Sequence, residues 1–101
     1  MRVFLEHLED SIEVHRGETI LGRGLDCAIR FNDPALSRRH LRILVSAASV
    51  VAEDLGSRNG TRVNDQRLTS PRALVSGDSL QLGHRTLKVR VLRDVDDEET
   101  Q

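Results

Sequence analysis

Aromatic side chains are almost missing from this 101-residue chain: Phe4 and Phe31 stand alone, and tryptophan and tyrosine are absent. A core must therefore be assembled from Leu, Val, Ile and Ala. That suffices for one small domain and implies modest stability. Proteins that hold single-stranded nucleic acid stack bases on aromatic rings, and two phenylalanines offer little for that purpose. Lysine is nearly missing as well. Lys88 is the sole lysine among 15 basic residues, and 16 acidic residues leave a net charge of −1. Such a balance supplies no basic field for a polyanion, so no nucleic-acid partner is expected.

Cys27 is the single cysteine. No internal disulfide can form, which accords with a reducing compartment, and the thiol is read as a small packing group. The four histidines (His7, His15, His40 and His84) are scattered without metal-ligand spacing, so no metal or other cofactor is expected. Long apolar runs are also lacking. The stretch from Leu44 to Ala52 is interrupted by Ser46 and Ser49 and is too short to cross a bilayer. The first residues do not follow the basic-then-apolar layout of a signal peptide. The expected setting is the cytoplasm, with no membrane partner. Finally, no stretch of about 12 residues keeps a 3.6-residue apolar stripe, so little or no helix is expected.

What the chain does contain is alternation and turns. In residues 85–92, Leu87, Val89 and Val91 alternate with Thr86, Lys88 and Arg90, the period of a half-buried strand. Leu41, Ile43 and Val45 alternate with Arg42 and Leu44 in the same way. Ile12 with Val14, Val50 with Ala52, and Leu80 with Leu82 give shorter versions. Turn-forming clusters separate them: Arg16-Gly17, Asn32-Asp33-Pro34, 56–60, Asn64-Asp65, Ser70-Pro71 and 76–78. Asn64-Asp65 is a candidate tight hairpin, because both residues tolerate the left-handed conformation. The spacing predicts an all-β sandwich or barrel. The chain divides into one domain over 1–93 and an acidic tail or linker start over 94–101, which contains Asp94, Asp96, Asp97, Glu98 and Glu99.

Three loops carry residues better suited to anions than turn-making alone requires. They hold Gly22-Arg23, then Ser37-Arg38-Arg39-His40, then Gly56-Ser57-Arg58-Asn59-Gly60-Thr61. Arginine offers a planar fork of donors that grips phosphate at two points. A serine hydroxyl and nearby backbone N–H groups can serve the remaining oxygens. Each residue has an ordinary reading too: a solvated arginine, a turn serine, an Asn-Gly hairpin. Much of the arginine count can reflect base composition of the genome, so only special positions count.

In this arrangement the sequence resembles the forkhead-associated (FHA) family of phosphopeptide-binding domains. The residues that carry the resemblance are Gly22-Arg23, Ser37-x-x-His40, Asp54-Leu55-Gly56-Ser57-x-Asn59-Gly60-Thr61, Val63-Asn64, Gly77-Asp78 and Leu82-Gly83. They run in family order, and the resemblance extends from about residue 2 to residue 92. The resemblance implies a β-sandwich of about eleven mostly antiparallel strands with a phosphothreonine held by loops at one end. It implies that Arg23 and Ser37 grip the phosphate, that Asn59 bonds the peptide backbone, and that His40 braces the Ser37 loop. Arg38 and Arg58 are candidates for additional phosphate contacts, whereas Arg39 is expected in solvent or in a structural ion pair. Gly22, Gly56 and Gly60 are expected to permit unusual backbone angles and close approach.

The expected partner is a phosphothreonine-bearing protein or peptide, with a Ser/Thr kinase upstream, and the domain is expected to be a monomer. Two departures from the family pattern stand out. Arg58 occupies a place where serine or threonine is common, which bears on peptide preference. Asp65 replaces the glycine that often follows Val-Asn, read as a turn variant. Among rival readings, Ser37, His40 and Asp54 superficially suggest a hydrolase triad. Ser37 and His40 nevertheless lie three residues apart where a loop enters a strand, with no nucleophile turn, so no enzyme is expected. The alternative is a scaffold of the same fold making phosphate-independent protein contacts. Thr100, beside Asp96 to Glu99, also resembles a kinase target whose phosphorylated form would compete for the site.

Overall fold

The computed structural model describes residues 1–93; residues 94–101, with Thr100, lie outside them. Eleven strands run along the described chain: β1 (Arg2–His7), β2 (Asp10–Val14), β3 (Gly17–Gly22), β4 (Ile29–Arg30), β5 (Leu41–Val45), β6 (Val50–Asp54), β7 (Thr61–Val63), β8 (Gln66–Arg67), β9 (Arg72–Ala73), β10 (Ser79–Leu82) and β11 (Arg85–Leu92). Among the described residues there is no helix. One sheet has six strands in the order β2-β1-β11-β10-β7-β8, and the other has five in the order β4-β3-β5-β6-β9. The strand pairings are antiparallel except β3 with β4, which run parallel.

The alternation in the sequence decides which faces meet. Leu87 and Val89 of β11, Leu41, Ile43 and Val45 of β5, Val50 and Ala52 of β6, and Leu80 and Leu82 of β10 all point between the sheets and are buried. Val3, Leu5, Leu21, Leu36 and Val63 are buried as deeply. Val91 and Ile12 pack against this cluster while remaining partly exposed. Neither phenylalanine belongs to the buried core. Phe4 lies on the outer face of the six-stranded sheet, with the guanidinium carbons of Arg2 and Arg90 5.1 and 6.0 Å from its ring centre. Phe31 packs on the edge of the core under Arg85, 4.6 Å away.

Register places the loops of interest at one end. Leu21 pairs with Leu41, Leu41 with Asp54, Thr61 with Leu82, and Leu82 with Arg85. The segments 23–28, 31–40, 55–60 and 83–84 therefore emerge side by side. The opposite end is closed by Asn64 and Asp78. Asn64 and Asp65 have φ of 51° and 69°, both left-handed, so they form the tight turn that joins β7 to β8. The Asn64 amide donates to Asp78 Oδ1 at 2.9 Å, and its Oδ1 accepts from the Ser79 N–H at 3.0 Å. Asp78 in turn accepts from the Val75 N–H at 2.8 Å. Turn and sheet thus share one hydrogen-bonded unit.

Asn64→Ala loses both side-chain bonds and leaves the nearly buried Asp78 carboxylate short of a donor. It should lower the unfolding free energy by about 2 kcal/mol in a urea titration. Asp65→Gly, which relieves a left-handed residue without touching that unit, should leave stability equal or slightly higher.

Candidate functional site

Loop 55–60 is built around a carboxylate. Asp54 Oδ1 accepts from the hydroxyls of Ser57 and Thr61 at 2.6 and 2.7 Å, and Oδ2 accepts from the Ser57 N–H at 2.9 Å. The Ser57 hydroxyl also accepts from the Gly60 N–H at 2.9 Å. Burial alone would raise the Asp54 carboxyl, but the bonds from Ser57 and Thr61 outweigh it and hold it below its ordinary value. Gly56 and Gly60 take φ of 72° and 83°, the left-handed angles that let the chain turn within so few residues.

The second loop is tied down by Asp33, a buried carboxylate. Its Oδ2 accepts from the His84 N–H at 3.0 Å, and its Oδ1 from the Ala35 N–H at 2.9 Å. His84 Nδ1 lies 3.1 Å from Asp33 Oδ1. This joins loop 31–40 to the β10–β11 turn across the two sheets. The His84 and Ala35 backbone bonds, helped by the His84 side chain and opposed by burial, lower the Asp33 carboxyl to about 2.

His40 joins the two loops. Its side chain is fully buried. Nδ1 accepts the Ser37 N–H at 3.1 Å, and a backbone N–H can only donate, so Nδ1 carries no proton. The proton is on Nε2, which donates to the Gly60 carbonyl at 2.9 Å. The His40 backbone adds an N–H bond to Leu21 O and accepts from the Leu55 N–H, both at 2.9 Å. Ser37, His40 and Asp54 do not form a triad. Both ring nitrogens face backbone groups, Ser37 Oγ accepts the Arg58 N–H at 2.9 Å, and the nearest Asp54 oxygen is 3.9 Å from Nε2. No base reaches the hydroxyl.

The third loop approaches closely at Gly22. A Cβ there would stand 2.3 Å from the Arg38 carbonyl oxygen, so only glycine fits. The approach allows the Arg23 N–H to bond Ser37 O and the Gly24 N–H to bond Arg38 O, each at 3.0 Å. The Arg23 side chain is oriented by its Nε, which donates to Leu36 O at 3.0 Å. Asn59 reaches back with its amide to Ala35 O at 2.8 Å, leaving its Oδ1 and a second N–H unspent.

Arg23, Ser37, Arg38, His40, Arg58, Asn59, Gly22 and Gly60 are thus joined in one bonded group. Arg39 is the exception, turned towards Asp26 at 3.7 Å in an exposed ion pair. Among the described residues, no carboxylate pairs with Arg23, Arg38 or Arg58. Beside Arg23 lies a cleft of about 490 Å³ lined by Arg23, Leu25, Asp26, Arg30, Asn32 and Arg38. A smaller hollow of about 250 Å³ opens beside Ala35, Asn59, Gly60 and Arg62. Cys27, read from sequence as packed, is only half-buried and donates its thiol to Arg38 O at 2.9 Å.

Arg30, Asn32, and the staples made by Asp33 and Asp54 were not legible in the sequence. Arg30 occupies a two-residue strand without a period, and Asp33 meets a partner 51 positions away. The arrangement offers oriented guanidinium, hydroxyl and amide groups with spare hydrogen-bonding capacity, and no nucleophile with a base.

The comparisons with known proteins agree. The family model described as FHA domain matches residues 19–83. FhaA, an FHA domain-containing protein of Mycobacterium tuberculosis, is 38% identical over 79 residues, covering 78% of this chain and 15% of FhaA. The Arabidopsis thaliana FHA domain-containing protein At4g14490 is 36% identical over 83 residues, covering 76% of this chain and 21% of that protein. The chain therefore spans a minor part of these relatives. Among solved structures, an FHA domain from a study of phosphothreonine-dependent FHA domain interactions superposes with a TM-score of 0.87 at 33% identity, covering 92% of this chain and 99% of that one. The FhaA FHA domain, in complex with the intracellular domain of Rv3910, gives a TM-score of 0.82 at 35% identity, covering 87% and 99%.

The lowered Asp33 carboxyl sets an acid limit. A folded pKa of about 2 against an ordinary 3.8 stabilises the fold at every pH above the latter. The contribution is lost as pH falls from 3.8 through about 2. Unfolding free energy should therefore drop across that window, and Asp33→Asn should be less stable at neutral pH with a flatter acid limb in chemical denaturation. His40→Ala, which orphans the Ser37 N–H and the Gly60 carbonyl and leaves a cavity, should cost about 2–4 kcal/mol in the same assay.

Proposed function

The chain belongs to the FHA domain family, and on that footing we propose that it is a phosphothreonine-dependent protein-interaction module, with Arg23, Ser37 and Asn59 as its primary contacts. The observation that carries this reading is the set of unspent donors gathered by one frame of hydrogen bonds. Among the described residues no carboxylate pairs with Arg23, and its Nε bond to Leu36 O fixes its direction. The Ser37 hydroxyl accepts from the Arg58 N–H, so its own proton is left to donate. A phosphothreonine brings about −1.5 to −2 charges and three acceptor oxygens, which match these groups. Asn59 retains an acceptor and a donor, the pair an extended peptide backbone needs.

Arg38 and Arg58 add positive charge around the phosphate, and Arg58 tilts preference towards acidic segments. His40, Gly22, Gly56 and Gly60 serve as supports. The domain acts by binding rather than catalysis. A Ser/Thr kinase acts upstream, the domain works as a monomer, and its setting is the cytoplasm. The likeness to the FhaA FHA domain, solved with an intracellular protein domain, supports a protein partner. A phosphate-independent scaffold would have no use for the oriented Arg23 guanidinium beside a hydroxyl with its proton left to donate, so that alternative explains less.

A phosphothreonine peptide should bind in a fluorescence-polarisation titration and its unphosphorylated twin should not. Arg23→Ala should weaken binding about ten- to a hundredfold, equivalent to about 1.5–3 kcal/mol for bonds to a charged group. Phosphoserine in place of phosphothreonine loses one methyl, about 0.8 kcal/mol or a few-fold. Equal binding of the dephosphorylated peptide would overturn the reading.

A further inference from the structure

Resting on that reading, we infer that the cleft beside Arg23 is a second anion subsite, which takes a second phosphoryl group from the same partner segment through Arg30 and Asn32, with Arg38 shared between it and the first phosphate. One phosphothreonine does not account for the charge gathered at this end of the sandwich. Arg23, Arg30, Arg38 and Arg58 all lack a carboxylate partner among the described residues. Against these four positive charges a single phosphate supplies about −1.5 to −2. Among the described residues, about two positive charges therefore remain uncompensated after the first phosphate is bound.

The excess is localised rather than spread. Arg23, Arg30 and Arg38 line the same cleft of about 490 Å³, together with Asn32. Its one acidic lining residue, Asp26, faces Arg39 at 3.7 Å.

The cleft is also built. Arg30 Nε donates to the Arg23 carbonyl at 2.9 Å, which fixes the start of the Arg30 guanidinium and leaves its terminal nitrogens unspent. Arg38 is held through its carbonyl, which accepts from the Gly24 N–H at 3.0 Å and from the Cys27 thiol at 2.9 Å. The anchored Arg30 guanidinium, the Arg38 side chain carried on a fixed backbone, and the Asn32 amide provide donors, and a guanidinium fork suits a phosphoryl group. The cleft adjoins the Arg23 site, so both phosphates fit on one extended chain at about 3.3 Å per residue. The second should lie two to four residues from the first, on one side only.

The test is a scan with synthetic phosphothreonine peptides that carry a second phosphothreonine two, three or four residues before or after the first. Binding is read by fluorescence polarisation at low and physiological salt. Positions on one side should gain about tenfold or more over the singly phosphorylated peptide, with a steeper loss in salt. Arg30→Gln should abolish most of that gain and leave the singly phosphorylated peptide within a few-fold of wild type. Leu25→Asp does the same without risk to folding, because Leu25 is 88% exposed on the rim of the cleft and a carboxylate there repels the second phosphate. Aspartate in place of the second phosphothreonine should gain less.

No gain at any position overturns the inference, as does a gain that survives both variants. A matching gain from aspartate overturns the assignment to a phosphoryl group. Failure of the singly phosphorylated peptide to bind would instead strike at the function proposed above, so the two failures are distinct.

Discussion

One buried imidazole holds the binding end together. His40 takes the Ser37 N–H on one nitrogen and gives its proton to the Gly60 carbonyl from the other. Each bond satisfies a backbone group that would otherwise be left without a partner at the edge of the core, where an unmade bond is costly. Their joint effect is geometric. The Ser37 loop and the 55–60 loop descend from different parts of the chain, yet a single rigid ring sets their separation. With that distance fixed, the Ser37 hydroxyl reaches the Arg58 N–H and the Asn59 amide reaches Ala35 O. The histidine serves function by having both nitrogens occupied, the opposite of what a catalytic base requires.

Around this brace, acidic and basic side chains have separate duties. Asp33, Asp54 and Asp78 are spent within the protein, each accepting bonds that shape a turn. Glu13, Glu18 and Glu53 pair with Arg2 and Arg42 on the outer faces of the sheets. Among the described residues, Arg23, Arg30, Arg38 and Arg58 at the loop end are left without a carboxylate. Unpaired charge in a folded protein repels itself and gains nothing for stability, so its concentration beside free donors is best explained by a ligand that brings the opposite charge. The near-neutral total of −1 therefore conceals a strongly positive binding end.

Much of this was legible in the sequence, for identifiable reasons. Strands β5, β6, β10 and β11 announce themselves by alternation, because one face of each is buried and the other is not. The Asn64-Asp65 turn was legible because few residue pairs tolerate two consecutive left-handed angles. The site residues were recognisable only through the ordered motifs of the family, since Arg23, Ser37 and Asn59 have ordinary readings one at a time. The strands β4, β8 and β9 have two residues each and no period to read. The Asp33–His84 staple and the place of Arg30 against the Arg23 carbonyl depend on how distant segments meet. Cys27 also departed from expectation, because the loop that closes on Arg38 carries the thiol to the surface rather than into the core.

If the frame set by His40 presents Arg23, Ser37, Arg58 and Asn59 as one phosphate-reading surface, two-dimensional ¹H–¹⁵N NMR of the labelled domain will register it on titration with a phosphothreonine peptide and with its unphosphorylated twin. Large, saturable shifts are expected at the amides of Arg23, Ser37, Arg58 and Asn59 with the phosphopeptide, and none with the twin. Shifts of equal size from both peptides, or shifts centred on the outer faces of the sheets, would contradict it.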